Sequence, residues 1–464
     1  MLSVASVKSA SGAASYFAKD DYYTAEHSSE ATAWGGVGAD AAGLKGEVTK
    51  EAFEKILNGE LPSGEKVGQV ENRQHGVDLT FSMPKSASIL AYVAGDTRIL
   101  AAHMNAVKAT MSWVEKTYAE GRTYDRSKSG DAVRTGNLVY AMFQHDTSRA
   151  LDPQGHLHVI VANMTRMANG AWQALHNGQL WKNNTTIGSA YHANFRAELA
   201  KIGYETQVTG KHGQFEIDGV AKKVIEAFSQ RSVDIRAKAA ELGITKPKQI
   251  DRITTNTRDA KLNVEDRDAL RDAWRERAAA IGFDGKSLVE AAQARTGAAS
   301  LDSRPGTMER IRETVAAIGE ALGGMFRPND PLISGGIERL RPSPVEVRAQ
   351  HAVASAIRIH AQREAAFAIP QVTKTALDLG LKGVTAEHVD ARVSELISVE
   401  QLIPGKQDRI DGVVTHVTTP EALATERQIL AEIERGKGQV KPIVSADTVI
   451  DRLGARAVIA GGGV

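Results

Sequence analysis

The chain has 464 residues, 57 basic and 56 acidic side chains, a net charge of +1 and no cysteine. This length exceeds what one core accommodates, so we expect two or three domains, and a hydrophobic content of 42% is ordinary for a soluble globular protein. The lack of cysteine excludes disulfides and thiolate metal sites and favours a reducing compartment. Because the charges balance, contact with nucleic acid would need a local basic patch.

The first candidate site is a cluster of tyrosines near the start of the chain. Tyr16, Tyr22 and Tyr23 lie within eight residues of one another, although the chain has only nine tyrosines. A phenol with a pKa of about 10 is a poor nucleophile unless a metal or a base assists it. When it attacks, the product is a covalent intermediate. The alternative is an aromatic contact that fixes the first helix.

A strand followed by a helix comes next. Residues 76–81 alternate as a strand does, and Pro84 suits the first position of a helix. Lys85 would then lie in the first turn, where free N–H groups and the helix dipole favour phosphate. Residues 97–120 are predicted to form a second, amphipathic helix.

The most informative pattern is a group of three histidines. Residues 137–145 and 155–163 are predicted to form two strands of a hairpin. His156 and His158 would point to the same face, because side chains alternate along a strand, and the hairpin would bring His145 beside them. Three neutral imidazoles predict a divalent-metal site with an open, catalytic position. The alternative is ordinary packing of the histidines.

The rest of the chain is predicted to be mostly helical. Helices are expected at 186–202 and 220–242, within an extension that ends near residue 297. Residues 298–344 contain many prolines and are predicted to be a linker with one helix at 307–324. Beyond the linker, helix, turn, helix and a strand at 411–419 suggest a small winged-helix unit, with a generic helical subdomain as the alternative.

Several motifs in this order resemble the MobF class of conjugative relaxases. They are the tyrosine-rich N-terminus, Asp-Leu-Thr-Phe-Ser-Met-Pro-Lys-Ser at 78–86, His-Asp-Thr-Ser-Arg at 145–149 and His-Leu-His at 156–158. The resemblance extends over roughly residues 1–290. It implies an α+β fold, in which an antiparallel-sheet palm carries the His-hydrophobe-His motif and helical fingers clamp DNA. It also implies a relaxase domain at 1–297, the linker at 298–344, and a winged-helix-like segment at 345–464 that resembles the start of a helicase domain.

The resemblance implies an enzyme that nicks one DNA strand at a plasmid origin of transfer and later rejoins it. Its tyrosine would form a 5′-phosphotyrosyl DNA intermediate in a metal-assisted transesterification. Tyr16 matches the first nucleophile, and Tyr22 or Tyr23 would be the second. Phe17 departs from the family pattern, which usually has a second tyrosine at this position.

The other site residues follow from the same motifs. His145, His156 and His158 would hold one divalent ion, Mg²⁺ or Mn²⁺ in cells, with Zn²⁺ or Ni²⁺ also suited to imidazole. Asp78 would accept a ring N–H from a ligating histidine or help to remove the tyrosine proton. The candidates for phosphate contacts are Lys85 and Arg149.

The expected partners are single-stranded and hairpin origin DNA, accessory transfer proteins and the coupling protein of a type IV secretion system. With no signal peptide and no long apolar run, we expect a cytoplasmic protein. The resemblance implies that it is bacterial and is translocated with the DNA to the recipient cell. No Gly-x-x-x-x-Gly-Lys-Ser/Thr motif occurs, so no ATP site is expected. The alternative functions are a rolling-circle replication initiator and a metal-dependent hydrolase that uses activated water.

Overall fold

The structure is a computed structural model, and the residues it describes are 2–19, 32–68, 73–124, 130–148, 150–230, 241, 267–301, 330–333, 342–405 and 409–439. The helices in this part of the chain are α1 (Ala10–Lys19), α2 (Val37–Ala41), α3 (Lys50–Leu57), α4 (Lys85–Tyr92), α5 (Arg98–Tyr118), α6 (Gly178–Lys182), α7 (Asn184–Lys201), α8 (Lys222–Ala227), α9 (Arg267–Ala280), α10 (Gly285–Leu301), α11 (Pro344–Ala361), α12 (Ile369–Asp378), α13 (Ala386–Ser398) and α14 (Pro420–Gly436). The strands are β1 (Leu2–Val7), β2 (Thr32–Gly35), β3 (Gly76–Ser82), β4 (Glu120–Thr123), β5 (Asp131–Arg134), β6 (Tyr140–Thr147), β7 (Pro153–Ala162), β8 (Thr165–Arg166), β9 (Trp172–Gln173), β10 (Thr206–Val208), β11 (Phe215–Ile217), β12 (Ala366–Ala368), β13 (Ile403–Pro404) and β14 (His416–Thr418).

The centre of the fold is a five-stranded sheet in the order β1-β3-β7-β6-β2, with every neighbouring pair antiparallel. Alternating residues send side chains to opposite faces, so the sheet has a core on each face. Leu79 and Phe81 face the larger core, which we call the back face. Phe143 and Ile160 face the smaller core, which we call the front face. The predicted α+β fold with an antiparallel sheet is confirmed.

Helices α1 and α3 cover the front face. Phe17 of α1 stacks on Phe143 of β6, with ring centroids 4.2 Å apart, and Phe53 of α3 packs edge-on against Phe143 at 5.0 Å. All three rings are at least nine-tenths buried. This aromatic contact fixes α1 on the sheet and determines which side of the helix faces the sheet.

Helices α5 and α7 cover the back face and confirm the helices predicted at 97–120 and 186–202. Residues 186–195 of α7 are all buried. A helix that is buried on every side must be enclosed by other layers on both sides. The sheet and α5 provide one of these layers.

The C-terminal unit provides the other layer. Helix α12 packs on α7 in the back-face core, and α11, α13 and the small sheet β12-β14-β13 assemble around α12. Trp113 Nε1 donates to Asp390 Oδ2 at 2.7 Å, and Ser189 Oγ donates to Asp378 Oδ1 at 2.6 Å. This unit therefore lies behind the sheet, on the side away from the front face.

Two sequence-based boundaries need correction. The predicted helix at 220–242 forms at Lys222–Ala227 but does not continue unbroken, because α8 ends at Ala227 and the N–H of Gln230 donates to Asp152 Oδ2, 2.8 Å away. Of the predicted strand at 411–419, only His416–Thr418 is a strand. The helix predicted at 307–324 lies outside the described residues.

Two buried histidines predict that acid destabilises the fold. Burial lowers the pKa of His103 on α5 and of His192 on α7 to about 3 in each case. The unfolded chain binds these protons near pH 6.5 and the folded chain does not, so their contribution to stability is lost as pH falls from about 6.5 towards 3. Each histidine changes the unfolding free energy by at most about 1.4 kcal/mol per pH unit.

The measurement is the unfolding free energy from denaturant titrations between pH 7 and pH 4. His103→Gln should show a shallower loss of stability over this interval than the unsubstituted chain. Equal slopes for the two proteins would show that His103 does not contribute to the acid sensitivity.

Candidate active site

The three predicted histidines converge on the front face of the sheet. His145 of β6 lies directly opposite His156 of β7, and His158 is two residues further along β7. The ring centroids are 4.9–5.3 Å apart. One nitrogen of each ring lies within 4.8 Å of the others, a spacing that one metal ion can bridge.

A β-bulge at the end of β6 lies next to this cluster. The pairing register between β6 and β7 shifts between His145 and Thr147. Bulges re-aim side chains and are frequent beside active sites. His145 is buried, whereas His156 and His158 are half-buried, so the cluster is partly exposed to solvent.

Hydrogen bonds to acceptors on β3 and β7 set the tautomer of two of the rings. His156 Nδ1 lies 2.9 Å from the Gln154 carbonyl oxygen, and His158 Nδ1 lies 2.8 Å from Asp78 Oδ2. A carbonyl or carboxylate oxygen can only accept, so Nδ1 carries the proton in both rings. Each Nε2 then keeps its lone pair, which is the state that a metal ligand requires. The donor set therefore fits a divalent transition-metal ion.

The carboxylate of Asp78 comes from a third strand, β3. Asp78 and Thr80 lie on the front face, because they alternate with the back-face residues Leu79 and Phe81. Thr80 Oγ1 donates to Asp78 Oδ1 at 3.1 Å and also lies 3.2 Å from His158 Nδ1. Thr80 was not singled out from the sequence, although its spacing of two residues from Asp78 on a strand was a usable signal. The Gln154 carbonyl oxygen, a backbone atom, leaves no such signal.

Tyr16 lies beside the histidine cluster at the end of α1. Its ring centroid is 6.2 Å from that of His145, and 43% of the residue is exposed. A phenol hydroxyl in this position is close to the histidines and open to a large substrate. The structure therefore brings five of the predicted residues together: Tyr16, Asp78, His145, His156 and His158.

A family model described as TrwC relaxase matches residues 10–281, which is more than half of the chain. The chain belongs to the TrwC relaxase family. It is therefore a member of the MobF class of conjugative relaxases, as the sequence motifs indicated.

Characterised relatives and solved structures agree with this membership. The multifunctional conjugation protein TraI of Escherichia coli is 36% identical over 341 residues, which is 69% of this chain and 19% of TraI. TraI of Escherichia coli strain K12 is 35% identical over 339 residues, again 19% of its length, so the chain spans about a fifth of these relatives.

The solved structures are of the conjugative relaxase TrwC. A copper-bound complex with oriT DNA has a TM-score of 0.56 at 36% identity, and a metal-free complex with oriT DNA has a TM-score of 0.55 at 36% identity. A complex with a 27-mer DNA comprising the recognition hairpin and the cleavage site has a TM-score of 0.55 at 35% identity. In each case the match covers 61% of this chain and the whole of the solved chain.

Phe17, where this chain departs from the family pattern, is buried beside the histidine cluster. Phe17 is 7% exposed and its ring lies 5.4 Å from that of His158, edge to face. Because Tyr16 and Phe17 are consecutive on a helix, one side chain is exposed beside the histidines while the other is buried under them. A phenylalanine suits the buried position, where a hydroxyl would need a partner.

Lys85 lies at the start of α4, and its ammonium already has a hydrogen-bond partner within the chain. Its ammonium donates to the Pro153 carbonyl oxygen at 3.0 Å, and burial lowers its pKa to about 8. At the same helix end, Ser86 N donates to the Glu216 carboxylate at 2.9 Å, so the protein itself caps the first turn of α4. An internal carboxylate therefore already uses one of the free N–H groups at this helix end, which argues against a phosphate contact there, and the phosphate role of Lys85 stays a prediction.

Three predicted residues, Tyr22, Tyr23 and Arg149, lie outside the described residues.

Proposed function

We propose that this chain nicks single-stranded DNA at a plasmid origin of transfer and rejoins the strand during conjugation. The observation that carries the proposal is the exposed ring of Tyr16, 6.2 Å from that of His145 at the edge of the three-histidine cluster. Family membership supports it, because the solved TrwC structures are complexes with oriT DNA.

The reaction replaces one phosphodiester with another. The Tyr16 hydroxyl oxygen attacks the scissile phosphorus, and the bond from phosphorus to the 3′ oxygen of the preceding nucleotide breaks. The phenol loses its proton and the departing oxygen gains one, which leaves a 5′-phosphotyrosyl strand and a free 3′-hydroxyl. No water is consumed, so the phosphodiester is kept as a phosphotyrosine bond. The free 3′-hydroxyl can therefore attack the phosphotyrosine and rejoin the strand.

The three histidines would hold one divalent ion beside the scissile phosphate. When bound, such an ion acts as a Lewis acid on the phosphate oxygens. Three imidazole nitrogens suit Mn²⁺, Zn²⁺ or Ni²⁺ better than Mg²⁺, which prefers oxygen ligands. Of the two ions expected in cells, Mg²⁺ and Mn²⁺, we therefore favour Mn²⁺.

Asp78 is proposed as the residue that orients His158. The two carboxylate oxygens lie 2.8 and 3.1 Å from His158 Nδ1, a contact that fixes both the tautomer and the ring plane. The alternative role of Asp78 is to help remove the proton from the Tyr16 hydroxyl.

Asp78→Asn should lower both metal affinity and the rate of nicking by about ten- to a hundredfold. The amide oxygen can still accept from His158 Nδ1, but the negative charge that supports the ligand is lost. Mn²⁺ titration and single-turnover nicking are the measurements. Asp40→Asn, an exposed carboxylate on α2, is the matched control. If the two variants behave alike, Asp78 does not support the metal site.

Three further site assignments rest on the family pattern alone. Tyr22 or Tyr23 is proposed as the second nucleophile, used when transfer ends. Arg149 is proposed to contact phosphate, and it follows the β6 strand that carries His145. The same role for Lys85 is less favoured, because its ammonium is bound to the Pro153 carbonyl oxygen.

The proposed partners are single-stranded and hairpin origin DNA, accessory transfer proteins and a type IV secretion coupling protein. We propose a bacterial cytoplasmic location and translocation with the DNA. Among the described residues, no helix is both long and apolar enough to cross a membrane.

The C-terminal unit is proposed to be a winged-helix domain at 345–464, which follows a relaxase domain at 1–297 and a linker at 298–344. Its elements run α11, β12, α12, α13, β13, β14, and its sheet order is β12-β14-β13. Three helices with a three-stranded antiparallel sheet support this assignment.

Removing residues 302–464 should leave nicking intact but lower the melting temperature. The tail carries none of the proposed chemistry, yet its loss exposes α7 and leaves the indole N–H of Trp113 without Asp390. Thermal unfolding and adduct formation, both on the purified fragment, are the measurements. Loss of adduct in a fragment that still melts cooperatively would contradict the proposed division into domains.

The function itself is tested with tiled, fluorescent single-stranded oligonucleotides from the DNA that encodes this chain. A relaxase should gain, on one tile only, the mass of the product strand on the 3′ side of the cut, because the 5′ phosphate of that strand is bonded to the tyrosine. The strand on the 5′ side of the cut should be released with a free 3′-hydroxyl. A hydrolase would cut without retention. Because a replication initiator also retains DNA, the position of the cut, at a transfer or a replication origin, separates the remaining two functions.

A further inference from the structure

The turn between β6 and β7 has an unusual backbone conformation. Leu151 has φ = 57°, in the left-handed region that non-glycine residues rarely adopt. The turn is five residues from His156 and six from His145, so it joins the two strands that carry the histidine cluster. A backbone held in this region needs support from its surroundings.

A tryptophan from a distant helix provides part of that support. Trp274 of α9 donates its indole N–H to the Leu151 carbonyl oxygen at 2.9 Å. The residue is 1% exposed, and its ring also packs near Tyr92 of α4. A buried indole N–H has little alternative to this one carbonyl, so the bond holds the left-handed residue in place.

A buried carboxylate provides the rest. Asp152 is 1% exposed, and its two oxygens accept from Arg277 Nη1 at 3.1 Å and from Gln230 N at 2.8 Å. Within the turn, Ser148 Oγ accepts from Asp152 N at 3.2 Å, and Ser148 N donates to the Asp152 carbonyl oxygen at 2.9 Å. The turn is thus bound both to itself and to the helical extension.

The turn leads directly into β7, the strand that carries His156 and His158. After Asp152, Pro153 pairs with Thr147 beyond the bulge, and the Gln154 carbonyl oxygen accepts from His156 Nδ1. The N–H of Gly155 donates to Ser88 Oγ at 3.1 Å. If the turn relaxed, the register beyond the bulge and the position of the Gln154 carbonyl oxygen would change together.

We propose that Trp274 and Asp152 are positioning residues of the metal centre, which hold the β6–β7 turn so that His145 and His156 converge. The proposal rests on the metal site described under the proposed function. If the proposal holds, the geometry of the metal centre depends on how α9 packs against the β6–β7 turn. Helix α9 lies more than a hundred residues further along the chain.

Copper binding to the full chain tests the proposal, with Cu²⁺ electron paramagnetic resonance and a competition titration as measurements. Trp274→Phe keeps the ring and removes only the N–H donor. It should weaken Cu²⁺ binding by about tenfold or more and change the copper spectrum. Trp113→Phe is the matched control, because it loses a similar buried indole bond, to Asp390, behind the sheet. It should lower the melting temperature but leave the copper spectrum unchanged.

Two further variants separate positioning from general destabilisation. Leu151→Gly adopts the left-handed conformation without help, so the loss of copper affinity caused by Trp274→Phe should shrink in the Leu151→Gly background. Arg277→Gln removes a partly exposed partner of Asp152, and it should weaken copper binding even if Trp274→Phe does not fold.

The outcomes distinguish the two proposals. If the unsubstituted chain does not bind Cu²⁺ through His156 and His158, the proposed metal site fails. If it does bind, but Trp274→Phe and Arg277→Gln keep its affinity and spectrum, the positioning role is overturned. The same spectral change in Trp113→Phe would also overturn it, because the effect would then follow from destabilisation alone.

Discussion

Tyr16→Phe should abolish the covalent DNA adduct while folding, DNA binding and metal binding are retained. The substitution removes only the hydroxyl, and 43% of Tyr16 is exposed, so little packing changes. Loss of a nucleophile typically lowers the rate by more than about a thousandfold. The measurement is the protein–DNA adduct, followed by mass and by denaturing gel on single-stranded origin DNA.

The matched control for this substitution is Tyr124→Phe. Tyr124 is 65% exposed and follows β4, which pairs with β5 in a separate two-stranded ribbon. It should form adduct at the normal rate. Adduct formation by Tyr16→Phe at that same rate would show that another tyrosine makes the first cut.

His158→Ala should remove metal binding and nicking together. Two remaining imidazoles cannot fix an ion and keep its open position, and Asp78 would lose the ring N–H that it accepts. We expect a loss of nicking similar to that in Tyr16→Phe, but with metal affinity lost as well. A Mn²⁺ titration and the adduct assay together separate the two roles.

His416→Ala provides the comparison, because this exposed histidine lies on the C-terminal sheet. It should bind Mn²⁺ and form adduct normally. Chelator should stop the unsubstituted enzyme and added Mn²⁺ should restore it. Full activity in excess chelator, or normal Mn²⁺ affinity in His158→Ala, would remove the three-histidine ion from the reaction.

The local patterns of the sequence were sufficient to predict the elements that carry the site. Side chains alternate along a strand, so His156 and His158 had to share a face wherever that strand lay. The long helix α5, Arg98–Tyr118, follows from its apolar period, and the hairpin that places His145 opposite His156 follows from two strand-like runs around a turn. Tyr16 could be placed near the metal only through the family resemblance.

The tertiary structure decided the contacts between distant segments. The carboxylate of Asp78 is 80 residues from His158 in the chain, and Glu216 is 130 residues from the helix end that it caps. Trp274 reaches a carbonyl oxygen 123 residues away. A periodic pattern shows which face of a helix or strand is buried. It does not show which segment covers that face, because this depends on packing across the whole fold. For this reason the sequence determined the histidine strand and its metal-binding face, whereas the groups that orient the histidines and hold their turn were decided only by the folded structure.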